Sequence, residues 1–452
     1  MIAPGLHRRA AFLPPDAMRA LQDELLQAHV AHCLAHSPFY RERLKGSGLR
    51  PDAMTVERLA ELPLTGKEDL ARANDAFLAV PRRDVVDVVL SSGTTGLPTA
   101  VMYTEHDLQR LAYNEELAFA ACGLTADDVV LLTCTLDRCF VAGLAYFLGV
   151  RRLGAAAIRN GHGTLESHLA VIRQLRPTAA VGVPSFLRKL GLYLGEAGLP
   201  AAESGIRKLV CIGEPVRGRD MEFVKLGADL EQIWGARVYS TYASTETVTT
   251  FCECTAQRGG HLHPDLGIVE IVDDDARPVA PGEAGEVVLT PLNAEAMPLL
   301  RFRTGDVSFL LNGECPCGRR APRLGPIVGR KQQMMKVRGT SLYPQAVYAA
   351  LDELAGVSEY YVEITAHDRL SDELTVHVAV ADPALTAAAL AERLQGRLRV
   401  KPAVVVEPLD AVRGLVHTPQ SRKPVRCVDR RDRRDGAGGQ GSGRQQAREE
   451  RR

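Results

Sequence analysis

No run of apolar residues in this sequence reaches the length of a bilayer span, which argues against a transmembrane helix. The opening residues, Met1-Ile2-Ala3-Pro4-Gly5-Leu6-His7-Arg8-Arg9, lack the uninterrupted apolar stretch of a secretory signal. Net charge is missing as well. The 55 Lys and Arg offset the 55 Asp and Glu, so no overall field draws the chain to nucleic acid or to an anionic membrane. The 10 cysteines are scattered, apart from two close pairs, and do not form the dense pattern of a disulfide scaffold. Internal repeats are absent. The expectation is a cytoplasmic enzyme in a reducing compartment.

What is present is the composition of a globular protein, 46% hydrophobic and 24% charged. A chain of 452 residues exceeds one ordinary core and suggests about two to three domains. Residues 17–34 carry apolar side chains at helical spacing, and Thr65-Gly66-Lys67-Glu68 has the form of a helix start. Over residues 85–328 short apolar strands alternate with helical segments, the pattern of a layered α/β domain. The strands include residues 129–132, 179–183 and 208–212. Residues 329–405 form a smaller α+β unit, with a strand over 374–380 and an amphipathic helix over 384–398. Beyond Val428 the sequence is almost free of apolar side chains, which predicts disorder. The expected domains are residues 1–330, 331–428 and a disordered tail over 429–452.

The first chemical signal is Ser91-Ser92-Gly93-Thr94-Thr95-Gly96, directly after the β-branched run ending at Leu90. Glycines let the backbone approach a ligand closely, and a nest of amides favours anions such as phosphate. The Gly-Lys-Ser/Thr of the common phosphate-binding loop does not follow at the required spacing. Taken alone, the segment also reads as a solvated turn. Four further segments accompany it: Gly213-Glu214-Pro215; Thr241-Tyr242-Ala243-Ser244-Thr245-Glu246; Arg301-Phe302-Arg303-Thr304-Gly305-Asp306; and Gly329-Arg330 followed by residues 335–344. In this order they resemble the adenylate-forming enzymes, and most closely the phenylacetate–CoA ligase family. Residues 37–44 and 62–70 resemble the same family's N-terminal region, so the likeness spans residues 35–430.

The resemblance implies a large layered α/β N-terminal domain with a small mobile α+β C-terminal domain. It also implies a reaction: ATP and a carboxylic acid give an acyl-adenylate and pyrophosphate, and the acyl group passes to coenzyme A. Charge builds on phosphate oxygens in such a reaction, so preorganised donors and cations are required. By resemblance, Ser91 to Gly96 would cradle the departing phosphates and Tyr242 would stack on adenine beside Gly213, Glu214 and Pro215. Thr245 would hydrogen-bond the α-phosphate and Glu246 would hold Mg²⁺, a hard cation suited to carboxylate oxygen. Asp306 would accept both ribose hydroxyls, with Arg330 assisting nearby. Each residue has a plainer reading: Tyr242 as a core aromatic, Glu246 as a carboxylate at a helix N-terminus, Asp306 as a turn residue.

Ser421-Arg422-Lys423-Pro424-Val425-Arg426 resembles the family's terminal segment, whose lysine neutralises charge during adenylation. Arg422 replaces the usual glycine, and the alternative for Lys423 is one more cation leading into a basic tail. The family's hinge acid is replaced by Gln332, and Tyr348 stands where a glutamate is usual. A hinge absorbs backbone rotation, which does not require a carboxylate. The acyl pocket departs too: Asp137 and Arg138 precede Phe140, where the branch is aromatic- and glycine-rich. Asp137, Arg138, Phe140 and Pro184 are the candidate pocket residues, and Asp137 and Arg138 read either as a structural ion pair or as part of a polar pocket for a substituted or heteroatom-bearing acid. Phenylacetate itself is not the expected substrate.

Cys252-Glu253-Cys254 precedes His261-Leu262-His263, and Cys315-Pro316-Cys317-Gly318 follows some fifty residues on. Two such Cys/His groups suit a structural tetrahedral zinc. Resemblance to family members with a Cys-Pro-Cys-Gly segment implies Cys254, His261, Cys315 and Cys317 as ligands, with Cys252 and His263 as competitors; unliganded buried cysteines are the alternative. The expected partners are a small carboxylic acid, ATP and CoA, with no nucleic acid and no membrane, and a homodimer is left open. Two other functions stay in view: transfer of the activated acyl group to an amine or carrier protein, and a nucleotide-binding homologue without catalysis.

Overall fold

The computed structural model describes residues 7–91, 99–366, 371–417 and 424–431. They form two compact units, divided after Gln332. The expected boundary after residue 330 therefore moves by two residues. The strand Gly329–Arg330 still pairs with Phe302–Ser308, and Lys331 Nζ lies 3.2 Å from Glu286, which ties this segment to the first unit.

Among the described residues, nine strands of the first unit form one sheet. Ala156–Arg159, Val129–Leu132, Ala179–Gly182, Lys208–Cys211 and Arg237–Ser244 lie side by side and parallel. Thr249–Glu253, Gly260–His261, Arg323–Leu324 and Leu310–Leu311 continue the sheet antiparallel. The inner parallel strands are apolar on both faces because both are covered. Val130, Leu132 and Val181 pack with Phe119, Tyr146 and Val150 on one side. Leu131, Ala180 and Leu209 pack with Leu187, Leu230 and Trp234 on the other. The helices Glu105–Ala121 and Val141–Leu153 supply the first layer, and Leu165–Leu175, Pro184–Glu196 and Lys225–Trp234 the second. Trp234 is wholly buried and donates Nε1–H to the Leu187 carbonyl at 3.1 Å, so its one polar atom is satisfied.

A second, antiparallel sheet runs in the order Gly267–Val272, Gly285–Pro291, Phe302–Ser308, Gly329–Arg330. The N-terminal helices, including Pro15–His36 and Lys67–Ala73, share a core with Phe77, Leu299, Leu300 and Phe302. Thr65 joins that sheet directly. Its N–H donates to the Arg301 carbonyl at 3.1 Å, and its carbonyl accepts from Arg303 at 2.8 Å.

The second unit has a four-stranded sheet in the order Ala403–Val406, Asp372–Val380, Val357–Ala366, Cys427–Asp429. Tyr360, Val362 and Val376 face the helices Pro344–Asp352 and Ala387–Leu398, while Tyr361 and Ala379 face Leu409–Val416. Period-two alternation thus serves two helical layers from one sheet. Order extends past the expected limit at Val428. Asp429 belongs to the last strand, Arg430 N–H donates to the Ile364 carbonyl at 2.8 Å, and Arg431 reaches the Met334 carbonyl at 2.8 Å. These three residues are polar, but their backbone and guanidinium groups find fixed acceptors. The remaining tail lies outside the described residues.

Candidate functional site

Four adjacent parallel strands end at one edge of the large sheet, and four of the stretches singled out in the sequence follow those ends. Asp137, Arg138 and Phe140 follow Val129–Leu132, and Pro184 follows Ala179–Gly182. Gly213-Glu214-Pro215 follows Lys208–Cys211, and Tyr242 to Glu246 close Arg237–Ser244 and continue beyond it. In open α/β sheets this carboxyl edge is where ligands bind, because the loops can diverge there. Gly213 has a φ of 77°, a left-handed conformation that a side chain would strain, and it turns the chain out of the strand.

Glu214 accepts hydrogen bonds from Ser185 N–H at 2.9 Å and Ser185 Oγ at 3.0 Å. It therefore caps the first turn of Pro184–Glu196, where a carboxylate offsets the helix dipole. One residue thereby fixes the loop after strand Lys208–Cys211 to the helix start at Pro184 and Ser185, after the neighbouring strand.

Tyr242 and Asp306 come together from the two sheets: the Tyr242 hydroxyl donates to Asp306 Oδ2 at 2.8 Å. Burial, then the nearby Asp306 charge, push the phenol well above its ordinary pKa, so it stays a donor. Asp306 reaches this position through a bulge. Thr304, Gly305 and Asp306 all stand opposite Val287, between the pairs Val288 with Arg303 and Glu286 with Val307. Gly305, at φ 79°, permits the turn, and Asp306 N–H donates to Thr304 Oγ1 at 3.1 Å. Arg330 sits opposite Asp306 in the register, its Nε 3.4 Å from Oδ1.

Glu246 is nearly buried. It accepts Ser244 Oγ at 2.6 Å on Oε2, and Lys67 Nζ lies 3.7 Å from Oε1. Lys67 had no assigned role in the sequence, although its segment was part of the family resemblance. Only the pairing of Thr65 with strand Phe302–Ser308, far along the chain, brings it here. The Thr245 carbonyl accepts the buried Tyr103 hydroxyl at 3.3 Å. Tyr103 lies on Ala100–Tyr103, which pairs antiparallel with Asp87–Leu90. This hairpin carries the hydroxyl-rich loop. Ser91 closes its neck, with its N–H on the Thr99 carbonyl at 2.9 Å and its Oγ 2.9 Å from Thr99 Oγ1. Ser92, Gly93, Thr94, Thr95 and Gly96 lie outside the described residues, as does Lys423.

The segment over residues 135–143 is held tightly. A Cβ on Gly143 would stand 1.9 Å from the Thr135 carbonyl oxygen, so only glycine lets helix Val141–Leu153 approach. Thr135 Oγ1 donates to Asp137, and the Cys139 carbonyl accepts Leu90 N–H at 2.9 Å. Arg138 and Cys139 both adopt positive φ, 60° and 52°, which puts Asp137 and Arg138 at the surface of the loop.

The Cys/His cluster is compact. One ligand atom from each of Cys254, His261, Cys315 and Cys317 lies within 4.8 Å of the others. Cys254 Sγ and Cys315 Sγ are 3.6 Å apart, and Cys317 Sγ is 3.6 Å from His261 Nε2. Zinc–sulfur bonds of about 2.3 Å in a tetrahedron give an edge of about 3.8 Å, so the donors fit that ion. Burial, then Arg319 and Arg323, push His261 down to about 3, which keeps the imidazole neutral and able to ligate. Its Nδ1 is buried and finds no hydrogen-bond partner among the described residues. The competing residues are engaged elsewhere. Cys252 Sγ lies 3.7 Å from Cys122 Sγ in the core, and His263 contacts Asp265 and the Arg8 carbonyl. Among the described residues, no helix is long and apolar enough to cross a membrane.

Residues 19–291 match the family model described as AMP-binding enzyme. The chain is 34% identical over 378 residues to the phenylacetate–coenzyme A ligase of Thermus thermophilus, covering 82% of this chain and 83% of that one. It is 30% identical over 383 residues to the Escherichia coli phenylacetate–coenzyme A ligase, covering 82% and 84%. Among solved structures it resembles 2-hydroxyisobutyryl-CoA ligase in the postadenylation state, with a TM-score of 0.81, 25% identity and coverage of 95% and 94%. The order of segments in the sequence and these matches agree: the chain belongs to the AMP-binding enzyme family, in its phenylacetate–CoA ligase-like branch.

Proposed function

We propose that this chain joins a polar or substituted carboxylic acid to the α-phosphate of ATP and then transfers the acyl group to coenzyme A. The observation that carries this reading is the meeting of Tyr242, Asp306 and Arg330 beside Thr245 and Glu246, at the carboxyl edge of the parallel strands. The acid's carboxylate oxygen attacks the α-phosphorus, and the bond to the pyrophosphate oxygen breaks. The thiol sulfur of CoA then attacks the acyl carbon, AMP leaves, and the thiol proton passes to solvent or base.

The roles follow from chemistry. Asp306, already oriented by Tyr242, offers carboxylate oxygens to the ribose hydroxyls, and Tyr242 presents its ring to adenine beside Gly213, Glu214 and Pro215. Thr245 donates to the α-phosphate. Glu246 would hold Mg²⁺ together with phosphate oxygens and water, and the ion would neutralise charge on the phosphates. Lys67 supplies a second cation beside that carboxylate. Ser92 to Gly96 would meet the leaving phosphates while Ser91 and Thr99 hold the loop's neck, and Lys423 would neutralise charge during adenylation. Phe140 and Pro184 would wall the acyl pocket, with Asp137 and Arg138 at its mouth. Cys254, His261, Cys315 and Cys317 would hold a structural zinc, since four protein ligands leave no open position.

Pyrophosphate release across a panel of aromatic, heteroaromatic, hydroxylated and short cyclic acids tests the reading, with thioester formation followed in the presence and absence of CoA. The expected outcome is release for at least one polar acid and a CoA-dependent thioester. Arg138→Ala should reduce turnover of the best polar acid by about tenfold or more and leave apolar acids and ATP affinity nearly unchanged, because only a polar acid would lose a hydrogen-bond or ionic partner. ATP binding without pyrophosphate release from any acid would remove the ligase assignment for this chain.

A further inference from the structure

A buried ion pair connects the loop after strand Lys208–Cys211 to the cysteine cluster. Arg217, two residues beyond Pro215, donates from Nε to Glu253 Oε1 at 2.6 Å. Arg217 is 7% exposed and Glu253 1%. The guanidinium also donates from Nη1 to the Met221 carbonyl at 3.1 Å and lies 4.1 Å above the Phe223 ring. It therefore fastens the turn over residues 217–223, which continues directly from Gly213-Glu214-Pro215. The other carboxylate oxygen, Glu253 Oε2, accepts Ser240 N–H at 2.8 Å, two residues before Tyr242. Glu253 is followed directly by Cys254, a member of the Cys/His cluster. One carboxylate thus holds two segments of the nucleotide site and adjoins the metal centre.

A desolvated pair of this kind has few geometries to choose from. Away from water, each ion depends on its partner, and a small displacement of either leaves charge uncompensated. Release of a metal would free Cys254 and hence the end of strand Thr249–Glu253. The carboxylate of Glu253 would move with it, and Arg217 would follow.

We infer that the Arg217–Glu253 pair couples the Cys/His metal centre to the nucleotide site, so that loss of zinc weakens nucleotide binding through the loop carrying Gly213, Glu214 and Pro215. Arg217 is here a positioning residue: it touches no reacting atom and acts through the loop. The inference rests on the zinc and nucleotide readings given above.

The test is a thermodynamic cycle with AMP as the probe. Zinc content is measured first, by elemental analysis of the purified full-length protein. AMP affinity is then measured by calorimetry for zinc-loaded and chelator-stripped protein, in the parent and in Arg217→Met. Arg217→Met with Glu253→Gln removes both charges, leaves no unpaired ion in the core, and carries the test if the single variant melts. In the parent, stripping should weaken AMP binding by about fivefold or more, the lower range of allosteric couplings. In the variants AMP should bind more weakly from the outset, and stripping should add less than about twofold. An equal weakening in parent and variants would overturn the coupling, as would no weakening in the parent. Absence of zinc in the purified protein, or failure of the loaded parent to bind AMP, overturns it too, and each is seen as a failure of its own underlying reading.

Discussion

Removing one member of the Cys/His cluster should expose how much stability a bound ion contributes. Cys315 is nearly inaccessible, and its turn is closed by Cys315 N–H on the Arg319 carbonyl at 2.9 Å and Gly318 N–H on the Cys315 carbonyl at 2.8 Å. The ribbon carrying this turn pairs with the large sheet at Arg323 with His261 and Leu324 with Gly260, and Arg320 N–H donates to the Ala11 carbonyl at 2.8 Å. A metal across Cys254, His261, Cys315 and Cys317 would add a direct tie between the turn and the sheet. A ligand present at a thousand times its dissociation constant stabilises the state that binds it by about 4 kcal/mol. For a unit of this size each kcal/mol moves the melting temperature by about 2 °C, so Cys315→Ala should lower it by roughly 8 °C. The assay is differential scanning calorimetry paired with elemental analysis and limited proteolysis. The parent should carry about one zinc per chain, and the variant should lose it and become cleavable within residues 312–322. Acid and chelators should produce the same change in the parent, because the thiolates must be deprotonated to bind. A parent without zinc, or a variant with an unchanged melting temperature, would refute the reasoning.

Lys423→Ala should slow adenylate formation by about a hundredfold or more while thiolysis of a supplied acyl-adenylate changes little, since the charge it meets develops only in the first half-reaction. An equal loss in both half-reactions would make Lys423 a folding residue. Glu115 is buried, and desolvation, opposed by hydrogen bonds from Thr250 and Asn114, raises its carboxyl to about 7 from 4.5. A raised acid contributes stability that is complete below pH 4.5 and is lost as pH climbs through 7, here about 3 kcal/mol at about 1.4 kcal/mol per unit. Glu115→Gln should therefore melt higher than the parent at pH 8 and no higher at pH 4.5, and a pH-independent difference would contradict this.

The elements that build the site were legible because their signals are local. The strands over 129–132, 179–182 and 208–211 read directly from short apolar runs, and Gly213 marks where the chain turns out of the last of them. The assignment of Asp306 rested on resemblance, and the structure adds the cause: a bulge, with Gly305 at positive φ, that aims the carboxylate at Tyr242. Lys67 was illegible as a site residue, because its position depends on Thr65 pairing with a strand more than two hundred residues away. Glu214 is another case. Its capping of Pro184–Glu196 arises from two strands being neighbours in space, which neither segment announces. The order at Asp429 to Arg431 was missed for a related reason, since their composition is that of a solvated tail and only their partners in the small sheet hold them.

The same distinction explains why the class of reaction is easier to read than the acid. Holding ATP depends on strand ends, turns and carboxylates whose spacing is imposed by the backbone, and these survive as short motifs. Choosing the acid depends on which side chains line a loop whose shape is set at a distance. Here Gly143 lets helix Val141–Leu153 press against Thr135, Cys139 is tied to the hairpin strand at Leu90, and two consecutive residues take left-handed conformations between those anchors. Neither Arg138 nor Cys139 is a glycine, so the surrounding contacts must hold the strain. A loop constrained in this way keeps its backbone path, and that path presents Asp137 and Arg138 outward. Under the proposed reading Asp137 and Arg138 stand at the rim of the acyl pocket, and a substrate that offers them a hydroxyl, a carbonyl or a ring heteroatom should be preferred over one that does not.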